Sequence, residues 1–373
     1  MNRDVLRHEE RAIYDLRDLY SRYGYTQFKM SKFEEYDLYV KNKDFLISDS
    51  VITFTDTDGK LMALKPDVTL SIVKNSRDVP GQVQKLYYDE NVYRVAGGSH
   101  SFREIRQAGL ECIGAVDDYC VGEVLLLAAE SLRTVASSSV LAVSHLGVLD
   151  GVVRSITEDP ALRGELLRCA GEKNLHDMTS VCVAAGLAAD AADPLKKLLT
   201  AYGKPSVVLP AIRELADCVG IRETVDRLER ILSIFDGTEL VDRIQLDFSE
   251  VGDLTYYNGI VFKGYAEGLP GSILSGGQYD GLMRRMGRKA GAIGFAVYLD
   301  QLERLREEPD ADDVDVVLLY DDTADMAQLQ RAVASLIEGG ESVFAGREIP
   351  AKLRCRRVLN FENGKVKPGE IHA

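Results

Sequence analysis

The chemistry-bearing residues of this chain fall in three short runs. In FREIRQAGLECIG (102–114) a period of two places Arg103, Ile105, Gln107, Gly109 and Glu111 on one face. Phe102, Glu104, Arg106, Ala108, Leu110 and Cys112 take the other face. Gln107 and Glu111 on either side of a glycine would make a pocket floor, since the glycine leaves space and the polar groups orient a ligand. The same alternation suits an ordinary solvated sheet face, and pattern alone leaves the two open. In FSEVGDLTYYNGIVFKGY (248–265), Tyr256 and Tyr257 offer rings and hydroxyls beside an Asn-Gly step. The residues before them include Glu250, Gly252 and Asp253 but no arginine, although acting on a charged substrate usually requires a cation. The run therefore reads as an active site or as a site that only binds. The third run, KPDVT, sets Asp67 and Thr69 at the start of a short helix.

Other chemistries are excluded by what is missing. There is no G-x-G-x-x-G after a strand, no G-x-x-x-x-G-K-[ST], no G-x-S-x-G and no paired Cys/His signature. Six cysteines lie far apart with no C-x-x-C, and five histidines are scattered, so no metal site is expected. In VVLLYDDTADM (316–326), Asp321-Asp322 after a strand resembles a ribose-phosphate loop. The Ala324-Asp325-Met326 that follows lacks the glycine-rich amides that hold a phosphate. A strand and a capped helix is the better reading. A net charge of −14 argues against a long phosphate backbone as principal ligand. No apolar stretch approaches the roughly 20 residues of a membrane span, and MNRDVLRHEERAIYDL is too charged for a signal-peptide core. The chain reads as soluble and cytoplasmic.

The elements that must position these residues follow from periodicity. RAIYDLRDLYSRYGY puts Ile13, Leu16, Leu19 and Tyr20 on one helical face and ends at Gly24. VITFTDTDGKLMALKP is a hairpin turning at Asp58-Gly59. VQKLYYDENVYRV and FREIRQAGLECIG are two extended runs joined by AGGSH. From about 157 to 235 the composition is helical, an insertion with almost no strand signal. Strand-like RIQLDFSEV, YYNGIVFKGYA and GSILSGGQYDGL follow, then GAIGFAVYLDQLERL, a strand turning into a helix. REEPDADDVD (306–315) is the acidic linker to one β-α-β unit and a last strand or hairpin.

In order and spacing these segments resemble the catalytic core of class II histidyl-tRNA synthetases over about residues 5–305. SRYGYTQFKMSKFEEYDLY is similar to the first motif, with Ser31 at its proline, and ALKPDVT resembles LRPEGT. VYRV and REIRQAGLECIG resemble the second motif, with Arg94 in the place of its ATP-binding arginine. LTYYNGIVFKGY is similar to LDYYTGTVFE, and LSGGQYDGLMRRMG to AGGRYDGL. The resemblance implies an α+β fold: an antiparallel sheet flanked by helices over 1–312, interrupted by the insertion. A small α/β domain at 313–373, about half the size of the family's anticodon-binding domain, would complete the chain.

The departures point away from ligase chemistry. Gly252 stands where the family has an arginine before the tyrosines, and Val95-Ala96-Gly97-Gly98 replaces HERP. The third motif, GFAxGxER, reads GFAVYLDQ, with Tyr298, Asp300 and Gln301 at its last glycine, glutamate and arginine. Losing one transition-state cation typically costs about 10²–10³ in rate. Losing two together with an ATP loop leaves no useful adenylate formation. Asp67, Thr69, Gln107, Glu111, Tyr256 and Tyr257, with Arg94, are the candidate histidine-binding set. The combination resembles the synthetase-derived regulatory subunits of ATP phosphoribosyltransferase. The resemblance implies a non-catalytic partner of the short-form catalytic subunit, a homodimer within a hetero-oligomer. It would mediate feedback by histidine, without tRNA or any cofactor. An active histidine-activating ligase, or another synthetase-like amino-acid-binding protein, is the alternative.

Overall fold

The computed structural model describes residues 8–42, 51–77, 79–95, 101–251, 256–305 and 312–369. Gly252 and Ala96-Gly97-Gly98 lie outside them. The chain divides into two compact units, Met1–Leu305 and Arg306–Ala373.

The first unit opens with α1 (His8–Arg22), which buries Ile13, Leu16 and Tyr20 and stops before Gly24 at φ 80°. Next come β1 (Thr26–Gln27), β2 (Phe33–Glu35), α2 (Tyr36–Lys41), β3 (Thr53–Thr55) and β4 (Leu61–Leu64). β3 and β4 form the Asp58-Gly59 hairpin, with Gly59 at φ 82°, and β2 completes a three-stranded sheet in the order β2-β4-β3. α3 (Thr69–Asn75) is capped by Asp67, whose carboxylate accepts from the Leu70 amide at 2.8 Å. β5 (Val83–Val95) and β6 (Phe102–Gly114) match the two extended runs and pair antiparallel along their full length. α4 (Asp118–Val135) and β7 (Ser139–His145) follow.

α5 (Leu146–Ile156) leads into the helical stretch: α6 (Pro160–Gly171), α7 (Leu175–Ala184), α8 (Asp193–Thr200), α9 (Pro205–Val219) and α10 (Arg222–Leu232). Within it lies one two-residue strand, β8 (Tyr202–Gly203). The chain returns to the sheet with β9 (Ile244–Asp247), β10 (Ile260–Ala266) and β11 (Ser272–Gln278), then α11 (Asp280–Arg285) and β12 (Gly291–Tyr298). The strand-like run GSILSGGQYDGL ends as a strand at Gln278, and its last three residues instead open that short helix. A 3-10 segment, Leu299–Leu305, follows β12.

Nine strands form one sheet in the order β1-β5-β6-β12-β11-β10-β7-β9-β8. It is mixed rather than wholly antiparallel, because β1 runs parallel to β5 and β7 parallel to β9. Alternation along each strand splits the apolar residues between two faces. One face, with Leu110, Cys112, Phe262 and Phe295, packs on α1, α4 and the helical stretch. The other, with Tyr88, Ile113 and Ala292, meets α3, α11 and the small sheet around Val68, Leu70 and Leu282. The site lies on this second face.

In the second unit, β13 (Val314–Tyr320), α12 (Met326–Glu338) and β14 (Val343–Gly346) make a parallel β-α-β unit, and β15 (Cys355–Glu362) pairs with β16 (Lys365–Pro368). The hairpin turns at Asn363-Gly364, both at positive φ. Asp325 caps α12, so the Asp-rich run after β13 is a strand and a capped helix. β13 spans VDVVLLY, the strand of the expected β-α-β unit, and takes in Val314 and Asp315 at the end of the acidic run.

Candidate functional site

Three features of the sequence build the site. The period of two along β6 aims Gln107, Gly109 and Glu111 at one face, where they meet Gly294, Ala296 and Tyr298 of β12 across the ladder. The cap of α3 brings Asp67 and Thr69 over that face. The Asn-Gly step is held by Asp280, which accepts from Asn258 Nδ2 at 3.0 Å and from the Ala292 amide at 2.9 Å. That anchor sets Tyr256 and Tyr257 above the sheet, their rings 4.6 Å apart and edge to face.

These residues enclose a cavity of about 320 Å³. All seven residues of the candidate set, Asp67, Thr69, Arg94, Gln107, Glu111, Tyr256 and Tyr257, line it. Gln301 is not among its walls. Glu111 is 2% exposed and accepts from Thr69 Oγ1 at 2.8 Å and from the Tyr279 hydroxyl. Burial pushes its carboxyl up to about 8, against the pull of those two hydrogen bonds. Burial raises Asp67 as well, opposed by the Leu70 amide and the Arg94 guanidinium. Arg94 is itself tied to the Pro66 carbonyl through Nε at 3.1 Å. The deep end of the cavity thus holds, in Glu111, a carboxyl whose ionised form an arriving cation would favour.

Two glycines keep the floor open, Gly294 under Glu111 and Gly109 under Tyr88. A Cβ at Gly294 would stand 1.8 Å from Glu111 Oε2, and one at Gly109 would stand 2.1 Å from the Phe295 carbonyl oxygen. No side chain fits at either position.

The synthetase-like order of elements now has its counterpart among known proteins. The model of the family described as histidyl-tRNA synthetase matches residues 2–302. A relative described as ATP phosphoribosyltransferase regulatory subunit, from Caldanaerobacter subterraneus subsp. tengcongensis, is 30% identical over 295 residues, 77% of this chain and 75% of its own length. The chain belongs to the histidyl-tRNA synthetase family, among its ATP phosphoribosyltransferase regulatory subunits. Solved structures share the fold. A chain of an ATP phosphoribosyltransferase regulatory subunit/histidyl-tRNA synthetase from Bacillus halodurans superposes with TM-score 0.74 at 23% identity, covering 91% of this chain and 88% of that one. A chain of the ATP phosphoribosyl transferase (HisG:HisZ) complex from Thermotoga maritima gives 0.61 at 16% identity, covering 78% and 97%.

Within this regulatory-subunit chain, sequence reasoning missed several cavity residues, Tyr279, Lys263 and Tyr88 among them. Tyr279 bonds Glu111, and its signal lay in GGQYDGL, where a tyrosine follows a glycine pair at a strand end. Lys263 lines the cavity and pairs with Glu250 at 2.8 Å, so the walls carry a second cation besides Arg94. Its signal was a lysine interrupting the alternation of β10. Tyr88 lies opposite Gly109 on β5 and is 2% exposed. Tyr298, where the synthetase motif has glycine, also lines the cavity and shares a 2.8 Å hydrogen bond with Ser275. Among the described residues no group of three or more His, Cys, Asp or Glu could hold a metal, and no helix is long and apolar enough to cross a membrane.

Proposed function

We propose that this chain is a non-catalytic regulatory subunit that binds free histidine in the cavity. On this reading it assembles, as a homodimer within a hetero-oligomer, with a short-form ATP phosphoribosyltransferase catalytic subunit in the cytoplasm. It enables that partner's activity and relays feedback by histidine, without binding tRNA. The observation that carries the reading is the division of the site. The acidic, amide and tyrosine groups suited to an ammonium and an imidazole converge in one cavity, whereas the third-motif positions that would serve ATP hold Tyr298, Asp300 and Gln301. A volume of about 320 Å³ sits at the small end of the roughly 300–1,000 Å³ of ligand sites. That suits one amino acid better than an amino acid with a nucleoside triphosphate. The name of the Caldanaerobacter relative and the Thermotoga maritima complex support the partner. Feedback requires histidine to bind one assembly state better than another, since a ligand shifts an equilibrium only by its differential affinity.

A histidine-activating ligase is the second reading, favoured by Arg94 in the cavity wall. Histidine-dependent pyrophosphate exchange with ATP separates the two. The regulatory reading expects none above background, and robust exchange overturns it.

A further inference from the structure

The floor of the cavity is longer than one amino acid. The ladder pairs Gly109 with Ala296, Ala296 with Ser275 and Ser275 with Lys263, so one row of the sheet runs from β6 to β10. Three strand steps at about 4.8 Å each put Lys263 roughly 14 Å from Gly109 along that row. Glu111, Thr69 and Tyr279 close one end of the floor. Lys263, paired with Glu250 at 2.8 Å, closes the far end. Between them the row carries only small side chains.

One large side chain reaches over that stretch. Tyr298 stands across the ladder from Gln107 at the end of β12, so it rises from the same face as Gln107, Gly109 and Glu111. Its hydroxyl shares a 2.8 Å hydrogen bond with Ser275 on β11. Ser275 pairs with Ala296, two residues back along β12. The tyrosine therefore runs diagonally across the two strands, a reach that aromatic side chains have. Its ring stands beside the open floor of Ala296 and Ser275, and the hydrogen bond at its tip holds it there. The motif GFAxGxER has glycine at this position, where nothing would cover the floor.

We infer that Tyr298 is the specificity residue of the cavity, a gate that admits a free amino acid and rejects one extended at its carboxyl group, as in an ester, a substituted amide or an adenylate. The inference rests on the reading that the cavity takes free histidine, and says what limits the ligand to that size. With a cationic group of the ligand at Glu111, the remainder extends along the floor toward Gln107 and Ala296. The Gln107 amide can donate to a carboxylate there. A group bonded beyond the carboxyl carbon meets the Tyr298 ring. Displacing that ring sacrifices its hydrogen bond to Ser275 and disturbs a packed wall. A synthetase site must hold amino acid and nucleotide together, whereas a sensor of free histidine must tell the amino acid from its activated derivatives.

Calorimetry on the full chain with L-histidine, L-histidinamide and L-histidine β-naphthylamide tests this. The two amides share one charge and one head group and differ only in the aromatic double ring beyond the amide. The wild type is expected to bind the naphthylamide at least about tenfold more weakly than histidinamide, the size of a steric clash in a packed site. Tyr298→Gly is expected to gain at least about tenfold for the naphthylamide and to leave histidine and histidinamide within about threefold. Tyr298→Ala moves the same way, while Tyr298→Phe keeps the ring and retains most of the exclusion. Retained histidine binding reports that each variant cavity is still folded. Equal binding of the two amides by the wild type overturns the assignment. So does a Tyr298→Gly chain that binds histidine but gains nothing for the naphthylamide. Loss of histidine in both Tyr298→Gly and Tyr298→Ala overturns it as well, since a gate leaves the amino-acid end intact. Absence of histidine binding in the wild type instead removes the reading of the cavity, and the gate with it.

Discussion

Replacing Glu111 with glutamine isolates the titration at the heart of the cavity. In the folded chain burial holds the Glu111 carboxyl at about 8, against an ordinary value of 4.5. A raised carboxyl binds its proton more tightly in the folded state than in the unfolded chain. Between those two values the folded state therefore holds more protons, and stability falls as pH rises. Nothing is lost below pH 4.5, and the loss is complete above about 8. At 1.36 kcal/mol per pH unit, the interval from pH 5 to pH 8 corresponds to about 4 kcal/mol. Glutamine presents one acceptor and one donor, as the protonated acid does, so the Thr69 and Tyr279 contacts can persist. Urea unfolding of wild type and Glu111→Gln across pH 5–9, without ligand, reads the difference. The wild type should lose roughly 2–4 kcal/mol more than the variant between pH 5 and pH 8. Parallel profiles would refute the reasoning, since they would mean that Glu111 ionises in the fold as it does in water.

Two further outcomes follow from the same geometry. Binding of histidine near pH 7 should release close to one proton, because a cationic group of the ligand placed at Glu111 favours its ionised form. Calorimetry in buffers of different ionisation heat measures this, and the release should fall in Glu111→Gln. Gly294→Ala drives a methyl group to within 1.8 Å of Glu111 Oε2 and 2.5 Å of the Leu110 carbonyl oxygen. It should cost about 1–3 kcal/mol or more and abolish histidine binding. Gly271→Ala, where an added Cβ meets nothing within 4 Å, is the control and should change neither.

Much of the floor was legible because it depends on local pattern. The strict alternation from 102 to 114, bounded by glycines, assigned Gln107, Gly109 and Glu111 to one face, and the ladder keeps them there. Asp58-Gly59 announced its hairpin for the same reason: turn chemistry is short-range. The walls were less legible because they depend on pairing at a distance. No local signal places β10 between β11 and β7, and only that order brings Lys263 into line with Ser275 and Gly109. Tyr279 was hidden because the run GSILSGGQYDGL reads as one strand, yet a helix begins at Asp280 as soon as β11 ends. The parallel pairs β1–β5 and β7–β9, which make the sheet mixed, join segments remote in sequence. The resemblance supplied the pocket set that periodicity left open, and the cation at the far end came from the structure alone.

The central claim is that this chain works through a partner. Its most direct test is steady-state ATP phosphoribosyltransferase activity of the short-form catalytic subunit from the same organism, measured with and without this chain over a titration of histidine. The account predicts that adding the chain raises activity and that histidine then lowers it, with Glu111→Gln shifting the inhibitory concentration upward. Unchanged activity on addition of the purified chain would contradict the account.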